Sequence, residues 1–158
     1  MLDTMLLDAV DTARLLGLFK TFCENNAGHE SQRKIRNILS MSKNKQNTII
    51  EIFRREQKIE LNDVESERML ELVKAFLNKT SYRTPIDREV KERLLNEQKQ
   101  KCAICNCEID IRAHADHIVP FKYVGDCLED NWQLLCEHCN EAKNDSLDYQ
   151  IKYLLKLL

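Results

Sequence analysis

The chain has 158 residues, enough for one ordinary domain or two small ones, and its 43% hydrophobic and 32% charged content excludes a disordered or fibrous class. Three glycines and two prolines amid abundant Leu, Glu, Lys and Arg predict a mainly helical fold. A formal net charge of −2 excludes a molecule that holds polyanions over its whole surface.

The first ten residues carry Asp3 and Asp8 with no basic run, which argues against a secretory signal. No apolar run approaches the roughly 18 residues of a membrane span. The expectation is therefore a cytoplasmic protein with no membrane partner. From Asp3 to about Lys79 the pattern is that of successive amphipathic helices. The first has its stripe at Leu6, Val10, Ala13, Leu16, Phe19 and Cys23, and the second runs from about His29 to Met41 through Ile35, Ile38 and Leu39. A third centres on Ile49, Ile50, Ile52 and Phe53. The fourth is the best punctuated, with Asn62 as N-cap, Glu65 three residues on, and Val64, Met69, Leu72, Val73, Phe76 and Leu77 behind it.

Thr80 to Thr84 reads as a joint, and Thr84-Pro85 as a cap followed by proline at the first helical position. The helix expected there runs to about Lys99, with Ile86, Val90 and Leu94 on one face. Short β-like pieces follow at Ile109 and Ile111, at Ile118 and Val119, and from Trp132 to Leu135. Glu137 to Asn144 is predicted helical, and Ser146 caps a last amphipathic helix reaching Leu158. Charge divides unevenly, +2 over residues 1–83 and −4 over 84–158. Arg33, Lys34, Arg36, Lys43, Lys45, Arg54, Arg55 and Lys58 face only Glu51 and Glu56 within their stretch. Such a run tracks a phosphate backbone or forms a solvated helix surface.

Six of the seven cysteines lie between Cys102 and Cys139. Disulfides do not persist in a reducing cytosol, so this clustering points to metal. Cys102-Ala-Ile-Cys105 and Cys136-Glu-His-Cys139 are two C-x-x-C knuckles separated by thirty residues. Together they offer four thiolates, a closed tetrahedral site for a structural Zn2+. Cys107 and Cys127 break the spacing; they read as ordinary small residues, with a stand-in ligand role as the alternative. Cys23 reads as core.

Between and after the knuckles run His114-Ala-Asp116-His117-Ile-Val-Pro120, a loop through Gly125, Asn131-Trp-Gln-Leu-Leu-Cys136, and Asn140-Glu-Ala-Lys143. This arrangement resembles the HNH endonuclease family, whose pattern is D-H-I-x-P, a loop, N-x-x-x-L-C-x-x-C, then His or Asn, and finally Lys. The resemblance covers residues 101–145 and says nothing of 1–83. With the helical periodicity of the first half, the expectation is an α+β chain: a mainly helical segment over 1–83, then, as the resemblance implies, a zinc-stapled ββα-metal domain over 84–158. Two departures stand out: Asn140 replaces the His that many members carry, giving an H-N-N order, and Gly125 stands alone where relatives often have two glycines.

The chemistry of the residues agrees with that family. Phosphodiester hydrolysis needs an activated water, charge neutralisation on the phosphate and stabilisation of the leaving oxygen. Neutral imidazole suits the first task, and His117 is the expected base. Asp116 and Asn140 offer hard oxygen donors for one catalytic divalent ion, Mg2+ or Mn2+. The resemblance implies that Asn131 orders the loop and aims His117, and Lys143 is the expected phosphate contact. His114 and His138 read as structural and surface residues. The function expected is a metal-dependent DNA endonuclease with a one-metal, histidine-base mechanism, in a setting such as restriction or phage defence. RNA as substrate, or a non-catalytic zinc-knuckle module that binds nucleic acid or protein, are the alternatives. Residues 1–83 are left with DNA contact, homodimerisation or docking to a larger effector protein.

Overall fold

The computed structural model describes residues 7–158. Helix α1 (Ala9–Asn25) begins where the Asp8 carboxylate accepts the Asp11 N–H at 2.7 Å, filling one of the orphan donors of a helix start. It buries Ala13, Leu15, Leu16, Phe19, Phe22 and Cys23. Val10, expected on that stripe, is instead exposed because it precedes the first packed turn, and Leu6 lies outside the described residues. Helix α2 (His29–Met41) buries only Ile35 and Leu39, leaving Ile38 turned outward. Helix α3 (Lys45–Gln57) starts on an Asn44 cap and stops at Lys58 in the left-handed region. Helix α4 (Asp63–Asn78) opens on a reciprocal cap: Asn62 Oδ1 accepts the Glu65 N–H at 2.9 Å while Asn62 Nδ2 donates to the Glu65 carboxylate at 2.8 Å. Glu65 is also held by Arg14 of α1, which ties the two helices at that end.

The core is aromatic at its centre. Phe22 stacks on Phe53 with centroids 5.4 Å apart, and Phe76 meets both Phe22 and Phe19 edge-on. Each fully buried Phe contributes about 1.5–3 kcal/mol over its exposed state. This core does not end with the first four helices. Val119, Val124 and Leu147, from the far side of the joint, are buried in the same cluster, and Tyr123 packs edge-on to Phe19.

Past the joint, helix α5 (Arg88–Glu97) starts three residues later than the Thr84-Pro85 pair predicts, on Asp87 rather than Thr84. The reason is local: the Thr84 N–H is taken by the Asp126 carboxylate at 2.6 Å, which holds residues 83–87 in an irregular path. The expected strand at Ile109 and Ile111 is a turn, closed by hydrogen bonds from Arg112 and Ala113 to Asp110; only an isolated bridge joins Lys101 to Glu108. Strand β1 (His114–His117) pairs antiparallel with β2 (Trp132–Leu135), His117 opposite Trp132 and Asp116 opposite Gln133. Between them lies a short helix, α6 (Phe121–Val124), that the sequence pattern did not indicate. Helix α7 (Glu137–Lys143) follows β2, and α8 (Leu147–Leu154), capped by Ser146 as expected, packs back on α1. It ends four residues short of Leu158, with Leu157 and Leu158 exposed. The result is an α+β chain in which a β1–β2–α7 unit rests on a helical base. Among the described residues no helix is long and apolar enough to cross a membrane.

Candidate active site and metal centre

The two knuckles converge. The Sγ atoms of Cys102, Cys105, Cys136 and Cys139 all lie within 4.8 Å of one another, and no described cysteine is in a disulfide. Four thiolates about 2.3 Å from one ion sit roughly 3.8 Å apart in a tetrahedron. The Cys105–Cys136 separation of 3.7 Å fits that. Backbone N–H groups of Cys136 and Cys139 donate to the Cys102 and Cys136 sulfurs at 3.4 Å, stabilising the thiolate charge a Zn2+ site requires. Cys102 and Cys139 are buried with Leu135, while Cys107 is exposed and outside the four. The donor set therefore fits a structural zinc.

Successive residues of β1 face opposite sides, as strand geometry requires. On one side the Asp116 Oδ2 accepts from Lys143 Nζ at 2.9 Å and from Gln133 Nε2 at 2.9 Å. The Lys143 side chain is 0% exposed and its Nζ also donates to the His117 carbonyl at 2.8 Å. Gln133 extends the network to Gln150 of α8 at 3.1 Å. Lys143, expected to reach a phosphate, is thus spent inside the protein: α7 points it across β1, where only Asp116 and a backbone carbonyl can satisfy a buried ammonium. Asn140, one turn earlier on α7, is half-buried, and its side-chain amide makes no hydrogen bond among the described residues. The second Asp116 oxygen and the Asn140 side-chain carbonyl are hard oxygen donors with no hydrogen-bond partner among the described residues. They suit Mg2+ in kind, since that ion keeps several waters and takes few protein ligands.

On the other side His117 is buried, with 8% of its surface exposed. Its ring lies 4.0 Å from the Trp132 ring and 5.7 Å from Phe121, centroid to centroid, and its Nε2 is 2.8 Å from Asp126 Oδ1. Burial would raise the Asp126 carboxyl, but hydrogen bonds from the Thr84 N–H and His117 outweigh it and hold it below its usual value. Asn131 is buried and brackets the backbone just beyond the histidine: its Oδ1 accepts the Val119 N–H and its Nδ2 donates to the Val119 carbonyl, both at 2.8 Å. A cleft of about 380 Å3 opens at the ring, lined by Arg83, Pro85, Ile86, Ala115, His117 and Trp132. The Arg83 guanidinium lies over Phe121, 4.9 Å from the ring centre, and is exposed. His114 and His138 are exposed too, and His114 lines a separate hollow with Glu108, Asp110, Arg112 and Glu137.

The structure thus brings the four cysteines together, joins Asp116 to Lys143, and sets His117 near Asn131, with Asp116 and His117 on opposite faces of one strand. Three residues of the site escaped sequence reasoning. Asp126 and Arg83 lie in a loop and a joint, where no periodicity announces a contact. Gln133 alternates with Trp132 and Leu134 in a strand that pattern alone reads as apolar. Of the basic stretch, Lys34 and Arg54 pair with Glu30, Glu51 and Glu60, and Arg36 donates to the Leu77 carbonyl. Lys45 Nζ donates to the Ser42 carbonyl at 3.5 Å, so four of its eight charges are engaged among the described residues.

Residues 102–146 match the family model of the HNH endonuclease, which leaves α1 to α5 and α8 outside the match. No curated protein and no solved structure matches the chain.

Proposed function

We propose, from the premise that residues 102–146 form an HNH endonuclease domain, that the protein hydrolyses phosphodiester bonds in DNA. The observation that carries this reading is His117: a buried imidazole at the end of β1, packed against Trp132, bonded at one nitrogen and bordering an open cleft. A histidine with one nitrogen fixed and the other free is suited to take a proton from water near neutral pH.

The roles of the other residues follow from their places. Asn131 holds the backbone after His117, so the strand end cannot rotate the ring away. Arg83, exposed in the wall of the same cleft, is the cation that would meet a phosphate there, a task for which its planar fork of donors is suited. Asp116 and Asn140 would hold the divalent ion, Mg2+ or Mn2+, on the face of β1 opposite the His117 ring, so the phosphate would have to lie across the strand end to meet both. Such an ion, when bound, neutralises charge on the phosphate and the leaving oxygen. Lys143 and Gln133 keep the Asp116 carboxylate aimed. The zinc cluster pins the start of α7 to the first knuckle and so fixes where Asn140 and Lys143 project. Residues 1–83 would supply partner docking, dimerisation or DNA contact, and defence against foreign DNA is the setting that suits a compact nuclease of this kind.

One observation favours a second reading. The Asp116 carboxylate is already neutralised by Lys143, as befits a non-catalytic zinc module in which these residues only stabilise. Incubating zinc-loaded protein and His117→Ala with supercoiled plasmid and Mg2+ or Mn2+ separates the two. The nuclease reading expects nicked or linear product from wild type alone. Folded, zinc-loaded wild type that leaves plasmid, single-stranded DNA and RNA intact points to the binding module, and RNA cleavage alone reassigns the substrate.

A further inference from the structure

We propose that Asp126 is a positioning residue that sets the tautomer of His117, holding the proton on Nε2 so that Nδ1 is the nitrogen left to receive a proton from water. This rests on the reading of His117 as the base. Asp126 touches no reacting atom; it acts through the ring.

Three observations carry the proposal. First, the contact is direct, Oδ1 to Nε2 at 2.8 Å, and a carboxylate can only accept, so the neutral ring must present N–H at that nitrogen. Second, the carboxylate is itself oriented, since its other oxygen accepts the Thr84 N–H at 2.6 Å. Third, the loop that delivers Asp126 is tightly specified. Gly125 has φ +58° and ψ −141°, a conformation that side chains resist, and a Cβ there would come within 3.1 Å of the Lys79 Cβ and 3.2 Å of the Thr80 nitrogen. The glycine thus presses the loop onto the joint and turns Asp126 toward both Thr84 and His117.

The arrangement makes an unusual forecast for the isosteric variant. In Asp126→Asn, an amide oxygen that keeps the Thr84 N–H turns its NH2 toward His117. That NH2 needs a lone pair on Nε2, which moves the proton to Nδ1, the wrong nitrogen. Asp126→Ala leaves the tautomer unconstrained. The expected order of kcat on plasmid is therefore wild type, then Ala, then Asn. Asn should fall on the order of 100-fold or more, with KM little changed, as expected for a base in the wrong tautomer. A purely structural role gives the reverse order, because Asn preserves shape and Ala does not.

The decisive measurement is the ring 15N spectrum of His117 at mildly alkaline pH in full-length, zinc-loaded protein. The proposal expects Nε2–H in wild type and Nδ1–H in Asp126→Asn; the same tautomer in both, or Asn retaining kcat within about threefold, overturns it. Wild type that cleaves no nucleic acid sinks the reading of His117 as base, and with it the catalytic half of the proposal. The ring spectrum still decides whether Asp126 sets the tautomer.

Discussion

Lys143 and Asp116 form an ion pair across the β1–α7 contact, Nζ to Oδ2 at 2.9 Å, with the lysine side chain wholly removed from solvent. A buried ammonium is tolerated only where its donors are met, and here Asp116 and the His117 carbonyl meet two of them. Lys143→Ala should therefore destabilise the fold by about 3–5 kcal/mol, because it strands a carboxylate with one remaining side-chain partner. Urea unfolding of that variant beside Lys143→Ala/Asp116→Asn checks it: the double variant recovers part of the loss if the cost lies in the orphaned charge. Equal stability of Lys143→Ala and wild type would contradict the burial.

The cysteine cluster predicts a dependence on metal that is confined in space. A four-thiolate zinc site in a small unit contributes on the order of 10 kcal/mol to its folding. Chelation, or Cys102→Ser, should release about one zinc per chain and collapse hydrogen-exchange protection over β1, β2 and α7. Protection in α1 and α4 should fall less, since their aromatic core has no ligand in it.

Cys23 gives a stability forecast with a definite sign. Burial pushes its thiol up to about 12, while an unfolded cysteine ionises near 8.5. The unfolded chain therefore loses this proton first, and stability is lost progressively as pH rises from about 8.5 toward 12. Below that window Cys23 contributes no pH dependence. Replacing it with alanine should flatten the alkaline limb of a stability–pH curve relative to wild type. In native, zinc-loaded protein near neutral pH, a thiol reagent should modify exposed Cys127 and spare Cys23.

Arg83 should behave as a substrate-binding residue. It is exposed in the wall of the His117 cleft, so Arg83→Ala is expected to raise KM for DNA several-fold with a smaller effect on kcat. It should also lower the salt dependence of binding by about one phosphate contact. Arg83→Lys keeps the charge and should recover only part of the affinity. Unchanged KM and unchanged salt slope would place the phosphate elsewhere.

Where the sequence was legible, a local rule was at work. The helix from His29 to Met41, the reciprocal Asn62–Glu65 cap and the strand from Trp132 to Leu135 could be read because periodicity and capping are properties of neighbouring residues. The two knuckles could be read because a metal fixes ligand spacing. What was missed depends on distant pairings. Thr84 looks like a helix cap until Asp126, forty-two residues on, takes its N–H. Lys143 looks like a surface cation until α7 is laid against β1. No spacing rule distinguishes a lysine that meets a phosphate from one that meets a carboxylate of its own chain. The α6 helix is too short to display a period at all.

Leu147, Val119 and Val124 belong by chain position to the zinc-bearing half and by packing to the aromatic cluster of the first four helices. Ownership of the core is therefore split across the joint. A fragment beginning at residue 84 would keep every sulfur ligand and the whole β1–β2 hairpin, yet leave those three side chains, and the face of α8 that lies on α1, open to water. Gene shuffling that moved the metal-binding half alone would have to bring a new floor with it. For this chain the helical half is a foundation rather than an appendage, and the two halves should be inherited as one piece.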